Sequence, residues 1–158
     1  VPKVEKAYVI VFGVGGVGSH VVNMLARSGV GRIKIVDFDQ VTLSSLNRHS
    51  FAIDKTSVVQ KFNAFKNMTK DLPSHKNLNR KSLRDSRKRS IIFTKPVDYV
   101  IDCIDNLEAK VELVTLCTEK NIRLIVSGGA GMKSDPTRLQ IRDIADVKYD
   151  SLTNRLKK

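Results

Sequence analysis

The sequence predicts a Rossmann-like, doubly wound α/β fold, in which helices cover both faces of a mostly parallel sheet. Short apolar runs alternate with stretches of helical periodicity along the 158 residues, which is the pattern of repeated β–α–β units. A glycine-rich turn joins the first apolar run to the first helical stretch, and an acidic residue closes the second apolar run. Together these observations are typical of a nucleotide-binding sheet.

The apolar runs and their periodicity place the elements along the chain. Strands are expected near Ala7–Phe12, Arg32–Asp37, Tyr99–Asp102 and Arg123–Ser127, with a further one near Arg138–Arg142. Apolar residues at spacings of three and four predict helices near Val17–Ser28, Val58–Asp71 and Leu107–Lys120. In the last helix we expect one buried face made of Leu107, Val111, Val114 and Cys117.

The turn between the first strand and the first helix reads Gly13-Val14-Gly15-Gly16-Val17-Gly18. Glycines let the backbone approach a phosphate, and the helix N-terminus offers unpaired N–H groups and a partial positive charge. Such a turn alone could serve only tight strand-to-helix packing. Asp37, about twenty residues further on, favours a nucleotide site because it can accept from ribose hydroxyls. The predicted nucleotide-binding residues of this part are Gly13, Gly15, Gly16, Gly18 and Asp37.

The formal charge of +12 favours a polyanionic partner such as RNA, although a solubilising surface is an equally good explanation of charge alone. Residues Ser74 to Lys95 carry eight basic side chains against one acid, Asp85. This basic segment is expected to be a solvated loop or disordered insert, or else a flexible arm that contacts phosphates. It lacks a clear strand, apart from a possible short edge strand at Ile91–Phe93.

The two cysteines, Cys103 and Cys117, exclude a disulfide framework and a four-ligand zinc site. Both are expected to be buried small hydrophobes, which weakly indicates a reducing compartment. No signal peptide and no run long enough to span a bilayer is present in the 158 residues. Residues 1–158 are expected to form a single nucleotide-binding domain that is a fragment of a longer protein.

Further polar residues are expected at the same edge of the sheet. Asp39 and Arg48 flank a loop of small polar residues, and Lys61 lies on the next predicted helix. Two more segments, Asp102–Asn106 and Ser127–Gly131, follow buried strands. Because the carboxyl ends of parallel strands share one crevice, the glycine turn, Asp37, Asp105 and Gly128–Gly131 should converge there. Two cations and an acid beside a triphosphate suggest phosphate neutralisation and Mg²⁺ binding.

On these residues the chain resembles the ThiF/MoeB/ubiquitin-activating superfamily, whose members use ATP to adenylate a carboxylate and release pyrophosphate. The matching text is Gly13–Gly18, Val36–Val41, Asn47-Arg48, Lys61 and Asp102–Asn106. The resemblance implies that Asp37 binds the ribose, that Arg48 and Lys61 bind the phosphates, and that Asp105 binds Mg²⁺. It implies ATP and Mg²⁺ as cofactors, Arg48, Lys61 and Asp105 as catalytic residues, and further nucleotide contacts from Asp39, Asn47 and Asn106.

The finer resemblance is to the tRNA threonylcarbamoyladenosine dehydratase branch, called TcdA or CsdL in bacteria. It rests on Asp102–Asn106 and Gly128–Thr137, and continues through Asp143-Ile144, Asp150–Leu152 and Arg155. This branch activates the threonyl carboxylate of a modified adenosine beside the tRNA anticodon, and ring closure within the modification then loses water. The segment Gly128–Thr137, which follows the predicted strand Arg123–Ser127, contains no cysteine, and zinc-binding cysteine pairs are also missing from the sequence. Both observations agree with that chemistry. The implied partners are tRNA, a second copy in a homodimer and a sulfur-transfer protein. The implied location is the cytoplasm, or the mitochondrial outer membrane for a fungal-like protein.

Alternative functions remain open at this point. The chain could be a MoeB- or ThiF-like adenylyltransferase of a ubiquitin-like sulfur carrier, or a nucleotide- or RNA-binding module without turnover. A nicotinamide dehydrogenase would suit the first forty residues but would leave Arg48, Lys61 and Asp105 unexplained.

The Asp102–Asn106 segment also has structural interpretations. Asp105 could cap the helix that begins at Leu107, and Asp102 is expected to end the strand and cap the turn rather than bind metal. The histidines His20, His49 and His75 show no catalytic pattern.

Overall fold

A computed structural model describes residues 2–37, 47–50, 78–81, 93 and 95–157 of the chain. Its helices and strands are, in chain order, α1 (Pro2–Lys6), β1 (Tyr8–Phe12), α2 (Gly16–Arg27), β2 (Arg32–Val36), β3 (Leu78–Lys81), β4 (Tyr99–Asp102), α3 (Leu107–Glu119), β5 (Leu124–Val126) and α4 (Ser151–Leu156). Two short 3₁₀ turns, Pro136–Arg138 and Ile144–Asp146, lie between β5 and α4. In these ranges, no helix combines the length and apolarity that crossing a bilayer requires.

The five strands form one parallel sheet in the order β3-β2-β1-β4-β5. The chain winds outward from β1 through β2 to β3, and then returns to the other side of β1 for β4 and β5. In this doubly wound arrangement the ligand crevice lies outside the carboxyl ends of the strands, where the winding reverses. The predicted fold class is confirmed.

Alternate residues of β1 pack against helices on opposite faces of the sheet. Val9 and Val11 belong to a cluster with Val22 and Ala26 of α2. Ile10 and Phe12 belong to a second cluster that contains Leu113 and Cys117 of α3. Strands that are buried on both faces read as continuous apolar runs, which is why β1 was recognisable in the sequence.

The structure corrects three predictions about strands. No strand forms at Arg138–Arg142, because this stretch begins in a 3₁₀ turn and leaves Leu139 82% and Ile141 95% exposed, with no neighbouring strand among the described residues. A strand does occur inside the basic segment, where β3 pairs with β2. Phe93 lies in a helical turn rather than a strand, and its ring centroid is 6.4 Å from that of Phe12. Ile91, Ile92 and the helix predicted at Val58–Asp71 fall outside the described residues.

The buried face of α3 also differs from the prediction. Its buried residues are Lys110, Leu113 and Cys117, whereas Val111 is 41% exposed. Apolar periodicity could not identify this face, because its largest buried side chain is a lysine that is held by an ion pair.

Candidate functional site

Two glycines of the turn between β1 and α2 are required by its close packing. Gly13 has φ +78°, and its N–H donates to the carbonyl of Val36 at 2.9 Å. A Cβ atom on Gly13 would lie 2.9 Å from the carbonyl oxygen of Cys103. A Cβ on Gly18 would lie only 1.8 Å from the carbonyl oxygen of Gly13. The packing role that the sequence left open is therefore real for these two glycines.

Gly15 and Gly16 present a different environment. A Cβ on Gly15 would have no atom within 4 Å, and Gly15 precedes α2 without a side-chain cap for the helix. A helix N-terminus that no side chain caps, beside backbone open to a ligand, is suited to a phosphate. A Cβ on Gly16 would lie 3.1 Å from Cγ and Cδ of Arg48. The turn therefore fits a nucleotide phosphate at Gly15, with the stem of Arg48 packed beside it.

Asp37 follows β2 and is buried. Its Oδ2 atom accepts a hydrogen bond from the N–H of Val14 at 3.1 Å. The acid at the end of the second strand thus contacts the glycine turn at the end of the first strand. The sequence predicted that these two features come together, but did not predict that the carboxylate itself holds the turn.

The Asn47–Ser50 segment lies against α2. The N–H of Ser50 donates to Oγ of the buried Ser19 at 3.2 Å, which ties the segment to the helix that follows the glycine turn. Nη1 of Arg48 donates to Oδ1 of Asn47 at 3.3 Å. The structure therefore brings Arg48, and with it Asn47, to the glycine turn.

Asp102 at the end of β4 is buried, and both of its carboxylate oxygens accept hydrogen bonds. Its Oδ1 accepts from the N–H of Ile104 at 2.9 Å, and its Oδ2 accepts from Nζ of Lys110 at 2.8 Å. Nζ of Lys110 also donates to the carbonyl of Ser127 at 3.1 Å. Burial raises the pKa of Asp102, against the opposing effects of Lys110 and the Ile104 N–H. Asp102 therefore organises the turn, as expected, while Lys110 links the ends of β4 and β5.

Asn106, not Asp105, caps α3. Oδ1 of Asn106 accepts from the N–H of Ala109 at 3.0 Å. The interpretation of Asp105 as the helix cap is therefore wrong, because the chain places Asp105 one residue before the capping position. Asp105 is exposed next to the carboxyl end of β4.

The surroundings of Asp105 are compatible with a nucleotide-bound Mg²⁺. The described part of the chain holds no group of three or more His, Cys, Asp or Glu that could bind a metal by itself. Mg²⁺ that is bound to nucleotide phosphates needs only one or two carboxylates from the protein, because water and phosphate oxygens complete its coordination. Asp105, as an exposed acid at this edge, fits that requirement.

Neither cysteine has the character of a nucleophile. Burial, together with the charge of Asp102, raises the pKa of Cys103 to about 11 and that of Cys117 to about 11. Both thiols are therefore protonated near neutral pH. Cys117 is buried as predicted, whereas Cys103 is half-buried beneath Gly18.

The loop that follows β5 is anchored by Asp150, a contact that the sequence did not reveal. The N–H of Ser127 donates to the carbonyl of Asp102 at 2.8 Å, which places the start of the loop beside the Asp102 turn. The N–H of Gly129 then donates to Oδ2 of Asp150 at 2.7 Å. An acid one residue before a helical pattern indicates a cap, but nothing in the sequence indicated its second partner.

The ThiF family matches residues 1–154 of the chain. This chain belongs to the ThiF family. It is 39% identical over 155 residues to tRNA threonylcarbamoyladenosine dehydratase 2 of Saccharomyces cerevisiae, a match that covers 96% of this chain and 35% of the yeast protein. It is 33% identical over 156 residues to tRNA threonylcarbamoyladenosine dehydratase of Haemophilus influenzae, covering 98% of this chain and 60% of that protein.

Among solved structures, the chain is similar to Escherichia coli tRNA N6-threonylcarbamoyladenosine dehydratase, TcdA, in complex with ATP. The TM-score is 0.84 at 29% sequence identity, over 98% of this chain and 64% of the E. coli chain. The ThiF-family chain thus spans between about a third and two thirds of the length of these three relatives.

In the described part of the chain, most of the predicted site residues lie at one edge of the sheet. The glycine turn, Asp37, Asn47 and Arg48 lie together around the ends of β1 and β2. Asp105 and Asn106 lie at the end of the neighbouring strand β4. The other two predicted residues, Asp39 and Lys61, fall outside the described residues.

Proposed function

We propose that this chain is the ATP-dependent activating domain of a tRNA threonylcarbamoyladenosine dehydratase. It would adenylate the threonyl carboxylate of the modified adenosine next to the anticodon, which leads to cyclisation. The observation that supports this proposal is that the glycine turn, Asp37 and Arg48 meet at one edge of the sheet, in a chain similar to such dehydratases along almost its whole length. Residues 1–158 would form a single domain within a longer protein.

The nucleotide would lie along the glycine turn. The open backbone at Gly15 and the N-terminus of α2 suit phosphate oxygens, and Asp37 would accept from a ribose hydroxyl. Arg48 and Lys61 would compensate phosphate charge, with Asp39, Asn47 and Asn106 as further contacts. Asp105 would bind Mg²⁺, which supplies charge neutralisation to the phosphates when it is present.

The chemistry needs positioning more than it needs a protein nucleophile. The threonyl carboxylate attacks the α-phosphate of ATP and pyrophosphate leaves; an atom of the same modification then attacks the activated carbonyl and AMP leaves. An intramolecular ring closure of this kind gains its rate from held geometry. The high pKa values of Cys103 and Cys117 agree with a reaction that uses no thiolate.

The proposed partners follow from the same assignment. A tRNA substrate suits the net charge of +12 and the basic segment Ser74–Lys95. A homodimer, a sulfur-transfer partner, and a location in the cytoplasm or, for a fungal-like protein, at the mitochondrial outer membrane, are proposals from the family resemblance.

Mass spectrometry of tRNA nucleosides tests this proposal directly. The chain is incubated with ATP, Mg²⁺ and tRNA that carries threonylcarbamoyladenosine, with an incubation that lacks ATP as the control. We expect an ATP-dependent loss of one water from that nucleoside. No mass change in a sample that still binds ATP would overturn the proposal. ATP consumption that instead requires a carrier protein ending in Gly-Gly would favour the sulfur-carrier adenylyltransferase, and ATP and tRNA binding without any product would favour a binding module.

A further inference from the structure

The loop after β5 is held from two sides by buried charges of opposite sign. The carbonyl of Ser127 accepts from Nζ of Lys110 at 3.1 Å, and the N–H of Gly129 donates to Oδ2 of Asp150 at 2.7 Å. Lys110 and Asp150 are both buried. Hydrogen bonds in which one partner is ionised are roughly twice as strong as neutral ones, so the backbone at 127–129 is firmly fixed.

Gly128 and Gly129 pack directly against the carboxylate of Asp150. A Cβ on Gly128 would lie 2.8 Å from Oδ2 of Asp150, and a Cβ on Gly129 would lie 3.5 Å from the same atom. The absence of a side chain at Gly128 therefore allows the carboxylate to reach the backbone.

This contact sets the direction of one peptide group. No described peptide bond is cis, and in a trans peptide the carbonyl points away from the N–H of the next residue. The N–H of Gly129 points to Asp150, so the carbonyl of Gly128 points away from Asp150. This carbonyl accepts a hydrogen bond from Oγ of Ser127 at 3.2 Å. Loss of the Asp150 carboxylate would free this peptide to turn.

Asp150 is itself held rigidly. Its Oδ1 accepts from the N–H of Thr153 at 2.7 Å, and Nζ of Lys133 lies 3.5 Å from its Oδ2. Burial raises the pKa of Asp150, but the N–H groups of Thr153 and Gly129, the Thr153 hydroxyl and the charge of Lys133 together outweigh burial. They hold the pKa below its usual value. The carboxylate is therefore ionised at neutral pH.

The position of this loop indicates what it would receive. The glycine turn, Asp37 and Arg48 lie at the ends of β1 and β2, and the proposed Mg²⁺ ligand Asp105 follows the end of β4. The loop continues from β5, next to the Asp102 turn at the end of β4, and so borders the other side of the same crevice. On the proposed function, the part of the crevice that this loop borders is left for the second substrate.

We propose that Asp150 is a positioning residue that holds the Gly128–Gly131 loop in the shape that receives the carboxylate-bearing RNA, and that it has no part in ATP binding. This inference rests on the proposed function for the identity of the substrate. The two substrates would then bind to different parts of the crevice: ATP on the β1–β2 side and the acyl substrate at the β5 loop.

The test compares Asp150→Asn with Asp143→Asn. Asp143 also accepts from a backbone N–H, that of Ala145 at 2.9 Å, but it caps the 3₁₀ turn Ile144–Asp146, so Asp143→Asn is the same chemical change at a different backbone contact. Three quantities are measured: exchange of the Gly129 amide, the Kd for ATP, and the Kd for an anticodon stem-loop that carries threonylcarbamoyladenosine, with a non-hydrolysable ATP analogue present.

We expect Asp150→Asn to speed exchange of the Gly129 amide by about tenfold or more, since it weakens a charge-assisted hydrogen bond. The Kd for the modified stem-loop should rise about tenfold or more, because small displacements of positioning groups are costly, while the Kd for ATP stays within about twofold. Asp143→Asn should change none of the three.

Other outcomes separate this inference from the proposed function. Unchanged RNA affinity in Asp150→Asn, or equal losses of ATP and RNA affinity, would overturn the positioning role even if the unaltered chain turns over its substrate. A chain that binds ATP and the modified stem-loop but forms no cyclised product would refute the proposed function, and the Kd comparison would still decide the part of Asp150. No preference for the modified over the unmodified stem-loop would overturn the inference.

Discussion

Lys110 and Asp102 form an ion pair inside the fold, with Nζ 2.8 Å from Oδ2 and both side chains excluded from solvent. The pair joins α3 to the end of β4, and the additional bond from Lys110 to the Ser127 carbonyl extends it to the end of β5. Two strand ends that border the crevice are therefore tied together by one buried lysine. A buried pair of this kind is costly to break, because the remaining charge stays in the interior without a partner.

Lys110→Met should destabilise the protein by about 3–5 kcal/mol, since it leaves the Asp102 carboxylate buried alone. Urea unfolding measures this loss. The double variant Lys110→Met/Asp102→Asn should recover part of it, because the uncompensated charge is gone. Lys120→Met, at the exposed end of α3, is the matched control and should stay within about 0.5 kcal/mol of the unaltered protein. Equal effects of Lys110→Met and Lys120→Met would contradict this account.

Gly18→Ala and Gly15→Ala should separate folding from nucleotide binding. The methyl group at position 18 would lie 1.8 Å from a backbone oxygen, so the turn must shift, at a cost of about 1–3 kcal/mol in unfolding free energy. The methyl group at position 15 meets no protein atom within 4 Å, so stability should hold while ATP affinity falls about tenfold, since backbone can no longer approach the phosphates. Thermal unfolding and calorimetric ATP titration of both variants test this contrast; an unchanged ATP affinity in Gly15→Ala would remove Gly15 from the phosphate site.

Asp37→Asn should weaken ATP binding by about ten- to a hundredfold, because a hydrogen bond to a charged group contributes about 1.5–3 kcal/mol. The amide oxygen can still accept from the Val14 N–H, so the turn should remain folded. Asp98→Asn is the matched control: Asp98 also accepts from a backbone N–H, that of Tyr8 at 2.7 Å, but at the amino end of β1. Calorimetry that finds the same ATP affinity in both variants would refute the ribose-binding role of Asp37.

Asp105→Ala should abolish turnover and leave the fold intact, because Asp105 is exposed and does not cap α3. Nucleoside mass spectrometry reports the turnover, and circular dichroism with thermal unfolding reports the fold. ATP binding measured without Mg²⁺ should be unchanged, which distinguishes a metal-binding role from a general contribution to the site. Normal turnover in this variant would eliminate Asp105 as the Mg²⁺ ligand.

The sequence predicted the local parts of this fold better than the contacts between them. β1, α2, β2 and the glycine turn could be predicted, because apolar runs and glycines report local geometry directly. The strand expected at Arg138–Arg142 does not form, because a local sequence pattern does not report whether a neighbouring strand is present to supply hydrogen bonds.

The long-range contacts of the site could be predicted from the sequence only in part. Asp37 was predicted near the glycine turn because the ends of parallel strands share one crevice, and its carboxylate contacts that turn. The family resemblance implied a phosphate role for Arg48, whose stem lies beside Gly16. The contacts of Lys110 with Asp102 and of Asp150 with Gly129 join residues 8 and 21 positions apart. In the sequence each is a single charged residue among many, so only the pairing in space distinguishes it from a solvated side chain.

Asp150 should also make stability depend on pH in acid. Its folded pKa lies below the ordinary value of 3.8, so the unfolded chain binds more protons and stability rises with pH in this range. The stabilisation from Asp150 is therefore present above about pH 4 and is lost as the pH falls through the folded pKa.

The variant Asp150→Asn lacks the carboxylate and therefore lacks this pH-dependent stabilisation. Its unfolding free energy should be lower than that of the unaltered protein by about 1–2 kcal/mol near pH 6, and the difference should shrink towards pH 3. Asp102, whose pKa is raised, titrates with the opposite sign, but it is present in both proteins and cancels in this difference. Urea unfolding at several pH values between 3 and 7 measures the effect, and a difference that stays constant across that range would show that Asp150 acts without its charge.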